Sequence, residues 1–228
     1  MAEESLSDRI LRENDAVFRT MLSHRFVEDV KNDRLSKEAF ERYLVYEGAF
    51  VDSAISIFAY AAATAKTMQQ KRWLIAVLDA LANEQIAYFE RTFASRGIDP
   101  SCFDTGIAEV EAFRAGMLEI ARQGGFLDTV AAMFAAEWMY WTWCRQAAKR
   151  PISDPLLKEW VDLHVDPNFA AQAQWLKNEL DMAGETLEED EKARLSAIFG
   201  RAMQLEIDFH DAPYLQLHLA KADACAPT

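Results

Sequence analysis

Residues 127–148 read LDTVAAMFAAEWMYWTWCRQAA, with neither Gly nor Pro in the run. Its apolar residues recur at spacings of three and four, which is the pattern of an α-helix, and strict alternation typical of a strand is absent from the sequence. Ala, Leu and Met, which favour helices, are frequent in the stretch. It therefore predicts a long, largely buried helix.

On both sides of this helix, residues that are typical of helix starts mark further helical segments. Asp154-Pro155 and Asp166-Pro167 each open a helix downstream, because Asp caps the first turn and Pro fits it. Upstream, Ser36 caps a long amphipathic run. The connections are short, so we predict an all-α, single-domain helical bundle of about eight helices over residues 1–228.

Composition narrows the function. The net charge is −13 and the 24 Lys and Arg residues are scattered, which argues against a nucleic-acid partner. The acidic N-terminus lacks the pattern of a signal peptide, and we see no stretch typical of a membrane span. We therefore expect a cytoplasmic protein with no membrane partner. The three cysteines form no CxxC pair, so no zinc site is expected.

A glutamate interrupts the apolar stripe of the first helix. Glu137 follows Val130 and Phe134 and precedes Trp141 and Cys144, all at spacings of four and three. A buried carboxylate is costly unless it is bonded, protonated or exposed to a wet pocket. Taken alone, Glu137 is better explained by a hydrogen bond to a neighbouring helix end, or by a stripe that is slightly out of phase.

Three other helices carry an acid in the same kind of position. The same spacing places Glu47, Glu84 and Glu206 on or near apolar stripes. Four carboxyl groups sent inward by four helices favour a functional cleft, because perturbed acids cluster at such sites.

These acids do not match a di-iron bundle. Such a site needs Glu-x-x-His pairs, which are absent here. Glu206 and His210 lie one turn apart, where a shared metal is conceivable and a local hydrogen bond is the commoner outcome. We predict no metal.

Aromatic residues follow two of the acids. Phe50 lies one turn after Glu47, as Trp141 does after Glu137. Most aromatic residues of a helical protein pack in its core. These two are expected to form an apolar slot lined by acids, which suits a flat, basic ring such as an aminopyrimidine.

Short motifs near both ends resemble those of the TenA/thiaminase II family, and the resemblance covers nearly the whole chain. They are Ser23-His24-Arg25-Phe26-Val27, Asp33-Arg34-Leu35-Ser36, Phe40-Glu41-Arg42-Tyr43-Leu44 and, near the other end, Leu205-Glu206-Ile207-Asp208-Phe209-His210-Asp211. The resemblance implies a haem-oxygenase-like fold, a homo-oligomer (a tetramer) and a salvage hydrolase for thiamin-derived aminopyrimidines, without cofactor.

The resemblance also implies roles for particular residues. Glu206 corresponds to the catalytic acid/base, and Glu137 stands where many members have a nucleophilic Cys. Both are therefore catalytic candidates, in a subclass with Glu in place of Cys, for which thiaminase activity is not expected. Candidates for substrate binding are Glu47, Phe50, Phe113, Trp141 and His164, and candidates for support are Glu84 and His210.

The leading hypothesis is hydrolysis of a C–N bond, with Glu137 and Glu206 dividing acid and base work. Two alternatives stay open at this point. The same scaffold hosts cofactorless oxidases and metal-dependent oxygenases, and a non-catalytic pyrimidine-binding protein fits the same residues.

Overall fold

A computed structural model describes residues 4–215. The outermost residues of the predicted 1–228 domain lie outside this range. The α-helices are α1 (Leu6–Glu13), α2 (Asp15–Leu22), α3 (Arg25–Lys31), α4 (Lys37–Thr64), α5 (Met68–Ala80), α6 (Ile86–Arg96), α7 (Ala108–Gly124), α8 (Phe126–Ala147), α9 (Pro155–Leu163), α10 (Pro167–Gly184) and α11 (Glu189–Leu215). A π-helical turn, Leu81–Gln85, joins α5 to α6 end to end. Within residues 4–215 the fold is therefore all-α, with ten separate helical rods.

The predicted class is confirmed, and the predicted number of about eight helices is too low. One reason is Asn14, which ends α1 and begins α2 where the chain would otherwise form one longer helix. Its side-chain amide donates to the Ile10 carbonyl at 3.0 Å and to the Ser196 carbonyl at 3.1 Å. Asn side chains compete in this way with helical backbone bonds, and here the second bond ties the break to α11.

Helix α8 lies at the centre of the bundle, packed against α4, α7, α10 and α11. Its residues Phe134, Met139 and Trp143 are wholly buried. Burying a side chain such as Phe134 contributes about 1.5–3 kcal/mol. The middle of α8, where Glu137 lies, is consequently surrounded by apolar side chains.

The long helix α4 begins where the sequence predicts. The Ser36 side chain accepts from the Ala39 backbone N–H and caps the first turn. By length and composition α4 could cross a membrane, but 50% of its most apolar stretch is buried inside the domain. The core helix of a soluble protein has the same properties.

Candidate active site

A cavity of about 100 Å³ lies between α4, α7, α8 and α11, closed by the π turn, the end of α9 and the start of α10. We call it the inner cavity. It is lined by Glu47, Phe50, Val51, Ala54, Phe58, Leu81, Gln85, Phe113, Met117, Met133, Ala136, Glu137, Tyr140, His164, Phe169, Glu206 and Phe209. Three of the four expected acids thus meet in one space, although their helices lie far apart in sequence.

Glu47 is held by a residue of α9. The indole N–H of Trp160 donates to its Oε2 at 2.8 Å. Burial raises the pKa of Glu47 to about 8, although the Trp160 hydrogen bond lowers it. The carboxyl group therefore gives up its proton less readily than an exposed Glu, and its Oε1 lies 4.0 Å from Nε2 of His164.

His164 caps the end of α9. Its Nδ1 lies 2.7 Å from the Trp160 carbonyl, so Nδ1 carries the proton and donates. Burial lowers the pKa of His164 to about 4, which leaves the ring neutral near pH 7. Its Nε2 is then a hydrogen-bond acceptor facing Glu47.

Glu137 projects from the middle of α8 and is 9% exposed. The side-chain amide of Gln172, on α10, donates to its Oε1 at 2.8 Å. Its Oε2 is buried and has no hydrogen-bond partner within the described part of the chain. Burial raises the pKa of Glu137 to about 7, with the Gln172 hydrogen bond acting in the opposite direction.

Glu206, on α11, is the most deeply buried of the three acids, at 1% exposed. The Tyr140 hydroxyl donates to its Oε2 at 3.5 Å, and the Tyr43 hydroxyl lies 2.6 Å from that of Tyr140. Burial, followed by repulsion from Glu137 and Glu47, raises the pKa of Glu206 to about 8. Ionisation of Glu137 thus makes it harder for Glu206 to lose its proton.

Three phenylalanines form an apolar wall of the cavity. The Phe113 ring centroid lies 4.6 Å from that of Phe50 and 4.7 Å from that of Phe209. Neither Lys nor Arg is among the residues that line the inner cavity in residues 4–215. The space therefore suits a flat ring that carries hydrogen-bond donors or positive charge.

Trp141 is not part of this wall, which corrects the sequence-based assignment. Helix α8 faces the cavity through Met133, Ala136, Glu137 and Tyr140. At about 100° per residue, Trp141 lies on the other side of Glu137 from the centre of that face. Its ring instead sits below the Arg145 guanidinium, at 4.6 Å.

The predicted inward position of Glu84 is also wrong, because its side chain is exposed. It belongs to the π turn, whose wider hydrogen-bond spacing shifts the phase of the helix. Leu81 and Gln85 face the inner cavity in its place.

His210 is buried behind the cavity and does not line it. Its Nδ1 donates to the Glu206 carbonyl at 2.7 Å and lies 3.7 Å from Glu206 Oε2. Burial lowers the pKa of His210 to about 3, so it is neutral. The structure thus shows a local hydrogen bond between Glu206 and His210. Within residues 4–215, no three His, Cys, Asp or Glu side chains are grouped so that they could hold a metal ion.

Sequence reasoning missed the residues that hold the acids. Tyr140 lies three positions after Glu137, so the same helical spacing could have found it. Trp160 and Gln172 gave no such signal, because their partners are 113 and 35 positions away.

A second, larger space of about 490 Å³ adjoins the inner cavity, and we call it the outer cleft. The two share Glu47, Leu81, Gln85, Glu137, His164 and Phe169. The outer cleft adds polar residues, among them Glu84, Arg91 and Gln172. Glu137 thus lies at the junction between the two spaces.

Both the sequence and the fold are similar to those of known proteins. The model of the TENA/THI-4/PQQC family matches residues 13–216 of the sequence. The chain belongs to this family. An aminopyrimidine aminohydrolase from Halalkalibacterium halodurans is 27% identical over 197 residues, which span 84% of this chain and 88% of that protein.

Solved structures of low sequence identity agree on the fold. A TenA homologue from Pyrococcus furiosus superimposes with a TM-score of 0.83 at 22% identity, covering 92% of this chain and all (100%) of the other. A domain of unknown function with a haem oxygenase-like fold, from Shewanella denitrificans, gives a TM-score of 0.74 at 16% identity, covering 96% and 97%. The expected haem oxygenase-like fold is confirmed. The substitution of Glu for Cys as a subclass feature stays a prediction.

Proposed function

We propose that this TenA-family protein hydrolyses a C–N bond of thiamin-derived aminopyrimidines, in the manner of an aminopyrimidine aminohydrolase. The observation that carries the proposal is the meeting of Glu47, Glu137 and Glu206 in one apolar cavity. Burial raises the pKa of each to between about 7 and about 8, where a carboxyl group can both give and take a proton. The relative from Halalkalibacterium halodurans supports the same class of reaction.

Glu47 would recognise the ring. A carboxyl group can accept from the exocyclic amino group and share a proton with the adjacent ring nitrogen, forming two parallel hydrogen bonds. The Trp160 hydrogen bond fixes Oε2, and the apolar wall, with Phe50 and Phe113, would hold the ring flat.

Glu137 and Glu206 would divide the proton transfers. The deeper burial of Glu206 and its repulsion from Glu137 support Glu137 as the base that takes a proton from water and Glu206 as the acid that protonates the leaving nitrogen. The water oxygen forms a bond to the exocyclic methylene carbon as the C–N bond breaks. The products are a hydroxymethyl-pyrimidine and the released nitrogen group, which is ammonia for an aminomethyl substrate and formamide for its formyl derivative.

The test is incubation of the purified protein with thiamin, the aminomethyl-pyrimidine and its formyl derivative, followed by chromatography. We expect the hydroxymethyl product from one or both pyrimidines and little turnover of thiamin. Binding without turnover would support the non-catalytic alternative, and stoichiometric iron or manganese would support the oxygenase alternative.

Glu47→Ala is expected to weaken binding of the aminopyrimidine about 10- to 100-fold, since hydrogen bonds to charged groups contribute about 1.5–3 kcal/mol. Isothermal titration calorimetry measures the change. The variant also leaves the Trp160 N–H without its hydrogen-bond acceptor, so a melting curve checks that the protein remains folded. An unchanged dissociation constant in a folded variant would contradict the assigned role.

Phe113→Ala and Trp141→Ala form a matched pair. Phe113 lines the inner cavity, whereas Trp141 does not. We therefore expect Phe113→Ala to raise KM for the pyrimidine and Trp141→Ala to leave it unchanged. Steady-state kinetics of both variants checks this, and a raised KM for Trp141→Ala would count against the corrected position.

The assembly and location of the protein stay predictions. We propose a homo-oligomer, a tetramer, in the cytoplasm, acting on a small molecule with neither nucleic acid nor membrane as partner. Exposed apolar side chains such as Met68 (63%), Ile75 (59%) and Met182 (56%) are available for contacts between subunits. Light scattering measures the number of subunits.

A further inference from the structure

We propose that Gln172 is a positioning residue for Glu137, holding Oε1 as an acceptor so that Oε2 exchanges the proton with a molecule in the inner cavity. The inference rests on the proposed function and extends it to a residue on a different helix. Gln172 does not line the inner cavity, so it would act through Glu137 and not on the substrate.

The geometry separates the two oxygens of Glu137. Gln172 Nε2 lies 2.8 Å from Oε1, which it reaches from the side of the outer cleft. Oε2 is buried without a partner in the part of the chain that the structure describes. A buried oxygen in this state is costly, and a ligand in the cavity that donates a hydrogen bond would remove the cost.

Because of what surrounds Glu137, the hydrogen bond from Gln172 has a large effect on the ionisation of its carboxyl group. The titratable and charged groups that line the same spaces are Glu47 on α4, Glu206 on α11, His164 at the end of α9 and Tyr140 on α8 itself, with Glu84, Tyr88, Arg91 and Asp166 further out in the outer cleft. Repulsion from Glu137 raises the pKa of Glu206, so the two carboxyl groups do not readily ionise together. His164 is neutral. The Gln172 amide is thus the close polar group that favours the carboxylate of Glu137.

The amide also decides where the proton resides. A carboxyl oxygen that accepts from an N–H group keeps that lone pair engaged, so the proton of neutral Glu137 belongs on Oε2. Removing the amide frees both oxygens and the carboxyl rotation. We therefore expect the loss to affect proton transfer more than substrate binding.

The decisive variant is Gln172→Met, which keeps the length of the side chain and removes the amide. Gln174→Met is the matched control, because Gln174 lies on the same helix, is exposed and donates to Asn178 instead. Titration of the ligand-free protein by ¹³C NMR of labelled Glu carboxyl groups, with Glu137→Gln identifying the resonance, reports the pKa of Glu137 without any activity.

We expect Gln172→Met to raise the pKa of Glu137 by about one pH unit, because the ionised form loses a hydrogen bond. The acidic limb of the kcat/KM profile should shift to higher pH by the same amount, while KM at high pH stays unchanged. In the Gln174→Met control, both the pKa of Glu137 and the kcat/KM profile should stay as in the unmodified protein. Gln172→Asn, too short to reach, should behave like Gln172→Met.

Two results would overturn the inference. One is an unchanged pKa of Glu137 in both Gln172 variants, with the fold intact by melting curve. The other is a loss of kcat in Gln172→Met that appears equally at all pH values, which indicates general disruption. If instead the pKa of Glu137 moves and the kinetic limb does not, the hydrogen bond's effect on Glu137 is supported and the proposed catalytic role of Glu137 is contradicted.

Discussion

Glu206→Gln is expected to lower kcat by about 10²- to 10⁴-fold, the range contributed by a general acid or base. The amide has nearly the same shape and can still accept from Tyr140, but it has no proton to transfer. Because Glu206 is 1% exposed, water cannot readily take over its role. Steady-state kinetics near pH 7.5, with the aminomethyl-pyrimidine as substrate, measures the effect.

Glu84→Gln is the matched control for this experiment. It makes the same chemical change in an exposed glutamate of the outer cleft that does not line the inner cavity. Its kcat should stay within about twofold of the unmodified protein, since surface substitutions have small effects. A near-normal kcat for Glu206→Gln would remove Glu206 from the mechanism.

Glu206→Gln also has an expected effect on stability that does not depend on the reaction. Burial raises the pKa of Glu206 from 4.5 to about 8, so the folded state binds its proton more tightly than the unfolded state. The contribution of Glu206 to stability is therefore lost as pH rises from about 4.5 to about 8. Glu206→Gln lacks this proton, so its melting temperature should fall less over that interval.

Glu137→Gln is expected to lower kcat/KM by about 10²-fold or more and to abolish the acidic limb of the pH–rate profile. The pKa of Glu137 is raised to about 7, so activity that needs its ionised form should rise through that pH. Glu206, with a pKa of about 8, should set the descending limb, giving a bell-shaped profile. Profiles of kcat/KM from pH 5 to pH 9.5 test both limbs.

Glu137→Cys should not restore full activity. A thiol in this apolar cavity has no Lys or Arg among the lining residues of the described chain to stabilise a thiolate, and burial raises a thiol pKa. If Glu137 instead serves only to bond Gln172, its replacement would lower the melting temperature and leave the rate per folded molecule and the pH profile unaltered. Measuring both properties on the same samples distinguishes these outcomes.

The three acids of the inner cavity carry a cost in stability. Three carboxyl groups are buried with few hydrogen-bond donors, and each would be more stable in water. Such sites often trade stability for reactivity. Glutamine variants that are less active and more stable at alkaline pH would demonstrate that trade in this protein.

The sequence by itself determined the helices and the direction in which three of the acids point. Helical periodicity is local, because residues three and four apart share a face whatever the helix packs against. Glu47, Glu137 and Glu206 could therefore be assigned to inward faces, and Ser36, Asp154 and Asp166 cap their helices as the sequence predicts.

The tertiary structure decided which part of each inward face meets the cavity and what holds the acids in place. Tyr140 rather than Trp141 lines the space, because the neighbours of α8 on each side are set by packing between helices. The π turn that exposes Glu84 changes the phase on which the sequence argument depends. The donors to Glu47 and Glu137 come from α9 and α10, and such contacts depend on how the helices pack in three dimensions rather than on spacing along one helix.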